Sequence, residues 1–110
     1  MLLQAAERNL DRAKVLTVPR FEPVLLATQA GLANVRGDGE RAQHLIAMAI
    51  ECCVADSTCQ RESYRYALAH LRGPEAAEAK AQAAARLHAA GVEDPRYIIA
   101  GVYPGLIPPP

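Results

Sequence analysis

The chain has 110 residues, 12 basic against 12 acidic side chains, one phenylalanine, four tyrosines and no tryptophan. A chain this long buries roughly 60–70% of its unfolded surface, enough for one modest core without metal or disulfides. Balanced, interspersed charge leaves no field to hold a phosphate backbone or an anionic membrane, which argues against nucleic acid as a partner.

Leu3, Ala6, Leu10 and Ala13 recur on one stripe over residues 2–16, with Glu7, Asp11 and Lys14 elsewhere, and predict a first helix. Thr17-Val18-Pro19 ends it, because the residue before a proline is pushed out of helical geometry. A second helix is expected over residues 21–36, with Pro23 tolerated in its first turn and Gly37 closing it. Asp38 is the expected N-cap of a third helix reaching about residue 55, with Ala42, Leu45, Ile46, Ala49, Cys52 and Cys53 on its apolar stripe.

Asp56-Ser57-Thr58 makes the next turn, and Ser57 or Thr58 is placed to cap a fourth helix ending near Arg72. Its expected inner face is Tyr64, Ala67, Leu68 and Leu71, with Tyr66 partly exposed. Gly73-Pro74 breaks the chain and opens a fifth helix, rich in alanine, which Gly91 stops near residue 90. Asp94-Pro95 starts a short sixth helix through Ala100. Residues 2–101 therefore read as one helical module, and 102–110 as a Pro-rich tail with polyproline character at Pro108, Pro109 and Pro110. Turns every 15 to 20 residues without a strand pattern predict an all-α fold of about five main helices, stacked as antiparallel hairpins.

The segment Val24 to Asp56 resembles a tetratricopeptide repeat. Gly37-Asp38 falls at that motif's turn, Ala30 is the small residue of its first helix, and Ala42, Ile46 and Ala49 are the small, large and small positions of its second. Leu26 and Ala33 stand at the motif's aromatic positions, and Val54 replaces its usual proline. A second hairpin resembles the first more weakly, with Tyr64 to Arg72, then Gly73, then Ala76, Ala79 and Ala83.

A wider resemblance rests on Ala6-Glu7-Arg8, Pro19, Arg36-Gly37-Asp38, Tyr66, Gly91-Val92-Glu93-Asp94-Pro95 and Tyr103-Pro104-Gly105. In that order they look like the C-terminal tetratricopeptide-like helical module of large multidomain bacterial proteins bearing a eukaryotic-type serine/threonine protein kinase. Tyr97 and Ile98 stand where that module carries an Arg-Met pair, and Ile107 to Pro110 is an extension. The resemblance implies a fragment or truncated relative of a repeat-bearing tail, with the kinase outside this chain.

The residues themselves carry no glycine-rich nucleotide loop, no His-Arg-Asp, no Asp-Phe-Gly and no Gly-x-x-x-x-Gly-Lys. Adjacent Cys52 and Cys53 on a helix diverge by about 100°, so they do not form a spaced ligand pair, and with Cys59 they read as small buried hydrophobes. Redox thiols, or a disulfide across the Asp56-Ser57 turn, remain alternatives. His44, His70 and His88 lie on different expected helices and read as surface or rim residues. No catalytic residue, metal or cofactor is expected. Arg61, Arg65 and Arg72 form a basic ridge, either solvated beside Glu62 or facing an acidic partner, with Tyr66 near a peptide groove.

The expected function is a non-catalytic protein–protein interaction module, with Arg61, Arg65, Tyr66, Leu3 and Leu10 as candidate partner-binding residues. The partner is a protein or peptide, or an upstream domain in cis. The alternatives are a structural tail packed on such a domain and a free-standing helical protein; Leu3, Leu10 and Leu16 also offer a face for weak homodimers. The opening residues lack the basic start of a signal peptide, no apolar run approaches the roughly 20 residues of a membrane span, and the cysteine number is odd. A cytoplasmic location is expected.

Overall fold

The computed structural model describes residues 22–53 and 58–108. The expected first helix, with Leu3 and Leu10, lies outside the described residues. Five helices follow in order: α1 Glu22–Val35, α2 Gly39–Cys52, α3 Thr58–Arg72, α4 Ala77–Ala89 and α5 Pro95–Val102, with a 3₁₀ turn at Pro74–Ala76 before α4. No strand occurs among the described residues, and the fold is all-helical.

Local chemistry explains the boundaries. Pro23 is buried in the first turn of α1, where its missing N–H has no intrahelical acceptor to lose. At the other end the Asp38 amide donates to Ala33 O at 2.8 Å and the Gly37 amide to Asn34 O at 3.0 Å. This pair of reversed bonds requires a left-handed residue, which Gly37 supplies at φ 86°. Asp38 then caps α2 by accepting from the Arg41 amide at 3.2 Å. Asp94 does the same for α5, accepting from the Arg96 and Tyr97 amides.

Short connections reverse the chain between packed neighbours: α1 lies on α2, α2 on α3 and α3 on α4, and α5 closes against α3 and α4. The two hairpins bury comparable positions. Ala27 and Ala30 of α1 are matched by Tyr64 and Ala67 of α3, and Ala42 and Ile46 of α2 by Ala83 and Leu87 of α4. Small residues at most of these positions let the helix backbones approach closely. Tyr64, Ile46, Leu87, Ile99 and Leu106 supply the bulk of the core.

Residues 103–108 depart from the expected tail. Leu106 and Ile107 are buried, the Tyr103 ring packs 5.1 Å from that of Tyr64, and Arg96 donates to Pro108 O at 3.3 Å. The segment touches α1 at Gly31 and Asn34 and α3 at Tyr64. Two large aliphatic side chains gain on the order of 1.5–3 kcal/mol each when buried, which outweighs the preference of a proline-rich terminus for solvent.

Candidate partner-binding site

The face between α1 and α3 is filled by the chain's own C-terminal segment, whereas among the described residues the face between α3 and α4 is uncovered. Arg65, Leu68, Ala69 and Arg72 recur at three- and four-residue spacing and so share one side of α3. Ala79, Gln82, Ala83 and Arg86 do the same on α4, with Ala76 of the 3₁₀ turn beside them. Together these residues line a groove of about 190 Å³. Its floor is apolar because Leu68 and Ala69 of α3 meet Ala76 of the turn and Ala79 and Ala83 of α4. Its rim carries three guanidinium groups.

One carboxylate organises two of them. Glu62 of α3 is only 4% exposed. Its Oε1 accepts from Arg65 Nη1 at 2.6 Å, and Oε2 lies 3.5 Å from Arg86 Nη1 without accepting a hydrogen bond from any described residue. The bridge joins α3 to α4, and the Arg65 and Arg86 side chains remain 43% and 55% exposed beyond it. Arg72 forms no ion pair with a described residue. Among the described lining residues and Glu62, three arginines stand against one carboxylate, in a chain that as a whole is neutral.

Of the described candidate residues Arg61, Arg65 and Tyr66, Arg65 lies here, together with Arg72 of the expected basic ridge. Arg61 instead donates to Cys53 O at 3.4 Å, toward the end of α2. Tyr66, expected to be partly exposed, is 9% exposed and lies under Lys80, whose Nζ sits 5.2 Å from the ring centroid. Burial, and then the charge of Asp94, pushes its phenol above the usual range. Lys80 also lies 3.0 Å from His70 Nδ1, so the two cross-strap α3 and α4 away from the groove. Leu3 and Leu10 lie outside the described residues.

Glu62 and Arg86 had no place among the expected site residues. Glu62 reads from sequence as the solvated partner of an arginine ridge, and its burial depends on α4 arriving opposite. Arg86 shares the spacing Ala79, Gln82, Ala83, Arg86 with the floor, and that periodicity is the signal that marks it.

The groove carries donors and apolar surface. A guanidinium offers donors only, and no lining side chain offers a nucleophile or a general base. Such a lining holds a ligand by charge and contact. Elsewhere, the cysteines are not the buried hydrophobes expected: Cys52 and Cys59 are exposed and Cys53 is half-buried. The Cys53 thiol donates to Ala49 O at 3.3 Å, and desolvation raises its pKa; partial desolvation, then Glu22 and Glu51, raise that of Cys52. Raised thiols are poor nucleophiles. No group of three or more His, Cys, Asp or Glu side chains that could hold a metal occurs among the described residues, and no described helix is long and apolar enough to cross a membrane.

Compared with known proteins, the chain matches no protein-family model, no curated protein and no solved structure.

Proposed function

We propose that this chain is a non-catalytic protein–protein interaction module, the C-terminal helical part of a cytoplasmic bacterial signalling protein of the serine/threonine-kinase type. The observation that carries the reading is the open groove between α3 and α4, with its alanine floor and arginine rim. A protein partner needs a surface of this kind: a dry centre for contact and a polar rim for orientation. Ala30, Ala42, Ile46 and Ala49, the residues that carry the tetratricopeptide resemblance, are all fully buried between helices, which supports a tetratricopeptide-like role for the hairpins. The signalling setting rests on the wider resemblance. Its Asp94-Pro95 turn caps α5 and its Pro104-Gly105 pair meets Gly31, so its motif residues coincide with those the C-terminal packing uses.

A photoreactive amino acid at Gln82, activated in the cells that make the protein, tests the reading. A discrete heavier adduct is expected from Gln82, and none from the same residue placed at Glu40 on α2. Equal smears from both positions, or no adduct at either, would contradict it.

A second reading has its own observation. Tyr97 and Val102 of α5 are 68% and 59% exposed, and Ile98 on the same helix is exposed as well. An apolar surface of this kind favours the structural alternative, a helical tail packed on an upstream domain, or weak self-association. Val102→Asp should then shift any oligomer toward monomer in sedimentation over a concentration series. Unchanged sedimentation removes that reading.

A further inference from the structure

We propose that the groove between α3 and α4 takes an acidic peptide segment, with its carboxylates on Arg65, Arg72 and Arg86 and small side chains on the alanine floor. The inference rests on the interaction-module reading and names the chemistry of its partner.

Charge complementarity carries it. In a chain with no net charge, three guanidinium groups line one groove of about 190 Å³. Each presents five N–H donors in a planar fork that matches a carboxylate in two-point contact. Glu62 occupies one oxygen-to-nitrogen contact on Arg65 and a longer one on Arg86, which leaves most of both forks directed to solvent. Because Glu62 is buried and bridges α3 to α4, it also holds two long side chains that would otherwise lose rotamer freedom on binding. Arg72 stands outside that bridge.

The floor decides between kinds of anion. A single-stranded nucleic acid needs aromatic faces on which its bases stack, and the groove lining contains none. Ala69, Ala76, Ala79 and Ala83 offer instead a shallow surface for short aliphatic side chains. Among the described surfaces, the face between α1 and α3 already holds residues 103–108 of this chain, and the exposed surface of α5 is apolar at Tyr97, Ile98 and Val102. The arginine-rimmed groove of α3 and α4 is the one whose charge suits an acidic segment.

The test is fluorescence anisotropy of the full chain with a labelled peptide of alternating glutamate and alanine, beside its glutamine–alanine analogue and an oligothymidylate of equal length. The glutamate peptide should bind, more weakly as salt rises, and the glutamine analogue should not. Arg72→Glu, at an exposed position outside the ion-pair bridge, should weaken binding about tenfold, whereas Arg41→Glu on α2, the same change of charge on another face, should alter it less than about twofold. Ala79→Trp, which fills the floor without changing charge, should also weaken binding. Equal losses from Arg72→Glu and Arg41→Glu would overturn the proposal as nonspecific attraction. So would equal binding of the glutamine analogue, or tighter, Arg72-dependent binding of the oligonucleotide. If the glutamate peptide fails while the Gln82 adduct forms, the acidic chemistry is wrong and the module stands; if both fail, both readings fall.

Discussion

The side-chain amide of Asn34 donates to the carbonyl oxygen of Gly105 at 2.8 Å, joining residues 71 positions apart. The same amide lies 3.4 Å from Leu106 O, so one side chain on α1 holds the backbone just where Leu106 and Ile107 enter the core. The C-terminal segment is thereby part of the fold and fills the face between α1 and α3, apart from the groove between α3 and α4. Asn34→Ala should lower stability by about 1–2 kcal/mol, the cost of a hydrogen bond lost at a half-buried carbonyl. Urea unfolding checks it, and an unchanged midpoint would mean that the segment is held by its apolar side chains alone.

Gly105 and Gly37 separate two effects of substitution. Both have positive φ, but a Cβ at Gly37 meets nothing within 4 Å, while one at Gly105 falls 2.7 Å from Gly31 O. Gly37→Ala should cost on the order of 1–2 kcal/mol from backbone conformation alone. Gly105→Ala should cost more, because the segment must also move away from α1. Thermal unfolding of the two variants gives the order, and equal losses would contradict the close approach.

His70 makes stability depend on pH. Burial, followed by the charges of Lys80 and Arg96, holds its imidazole below the usual histidine value. The unfolded chain therefore takes up a proton near pH about 6.5, where the folded chain still does not. The contribution of this site is fully present above that pH and falls as pH drops through it toward the lower folded value. His70→Gln, which can still accept from Lys80, should flatten that part of the profile. Denaturant titrations at about pH 7.5 and about pH 5.5 measure it; an unaltered pH dependence would show that another group is responsible.

Glu62→Gln separates the support of the groove from its charge. It removes the anion that bridges Arg65 and Arg86 and should destabilise the chain by about 1–3 kcal/mol. The same change raises the positive charge of the groove, so an acidic peptide should bind more tightly to the folded variant. Unfolding and anisotropy are measured on the same preparation. Weaker binding by a fully folded variant would mean that holding the guanidinium groups in place matters more than the charge removed.

Much of the helical frame is legible because its signals are local. Asp38 and Asp94 cap, Gly37 reverses the chain, and Ala42, Ile46 and Ala49 repeat at helical spacing; each needs only a few neighbours in sequence. The candidate site is less legible because it is made by two helices meeting. Arg65 and Arg72 stand out as a ridge, but whether Glu62 is solvated or buried depends on α4, and Tyr66 is covered by Lys80 from the same helix. The C-terminal segment misleads for a similar reason. Its prolines exclude a helix and resemble a tail, while the burial of Leu106 and Ile107 depends on space that Gly31 leaves on α1, over 70 residues earlier.

Amide hydrogen exchange of the chain, free and carrying the partner captured at Gln82, tests most directly whether the groove is the partner site. Added protection should concentrate in α3 and α4 over residues 65–86, with the amides of α2 near Glu40 unchanged. Protection confined to the exposed surface of α5 around Tyr97 and Val102, with residues 65–86 exchanging as before, would contradict the assignment and place the partner on the opposite reading of this fold.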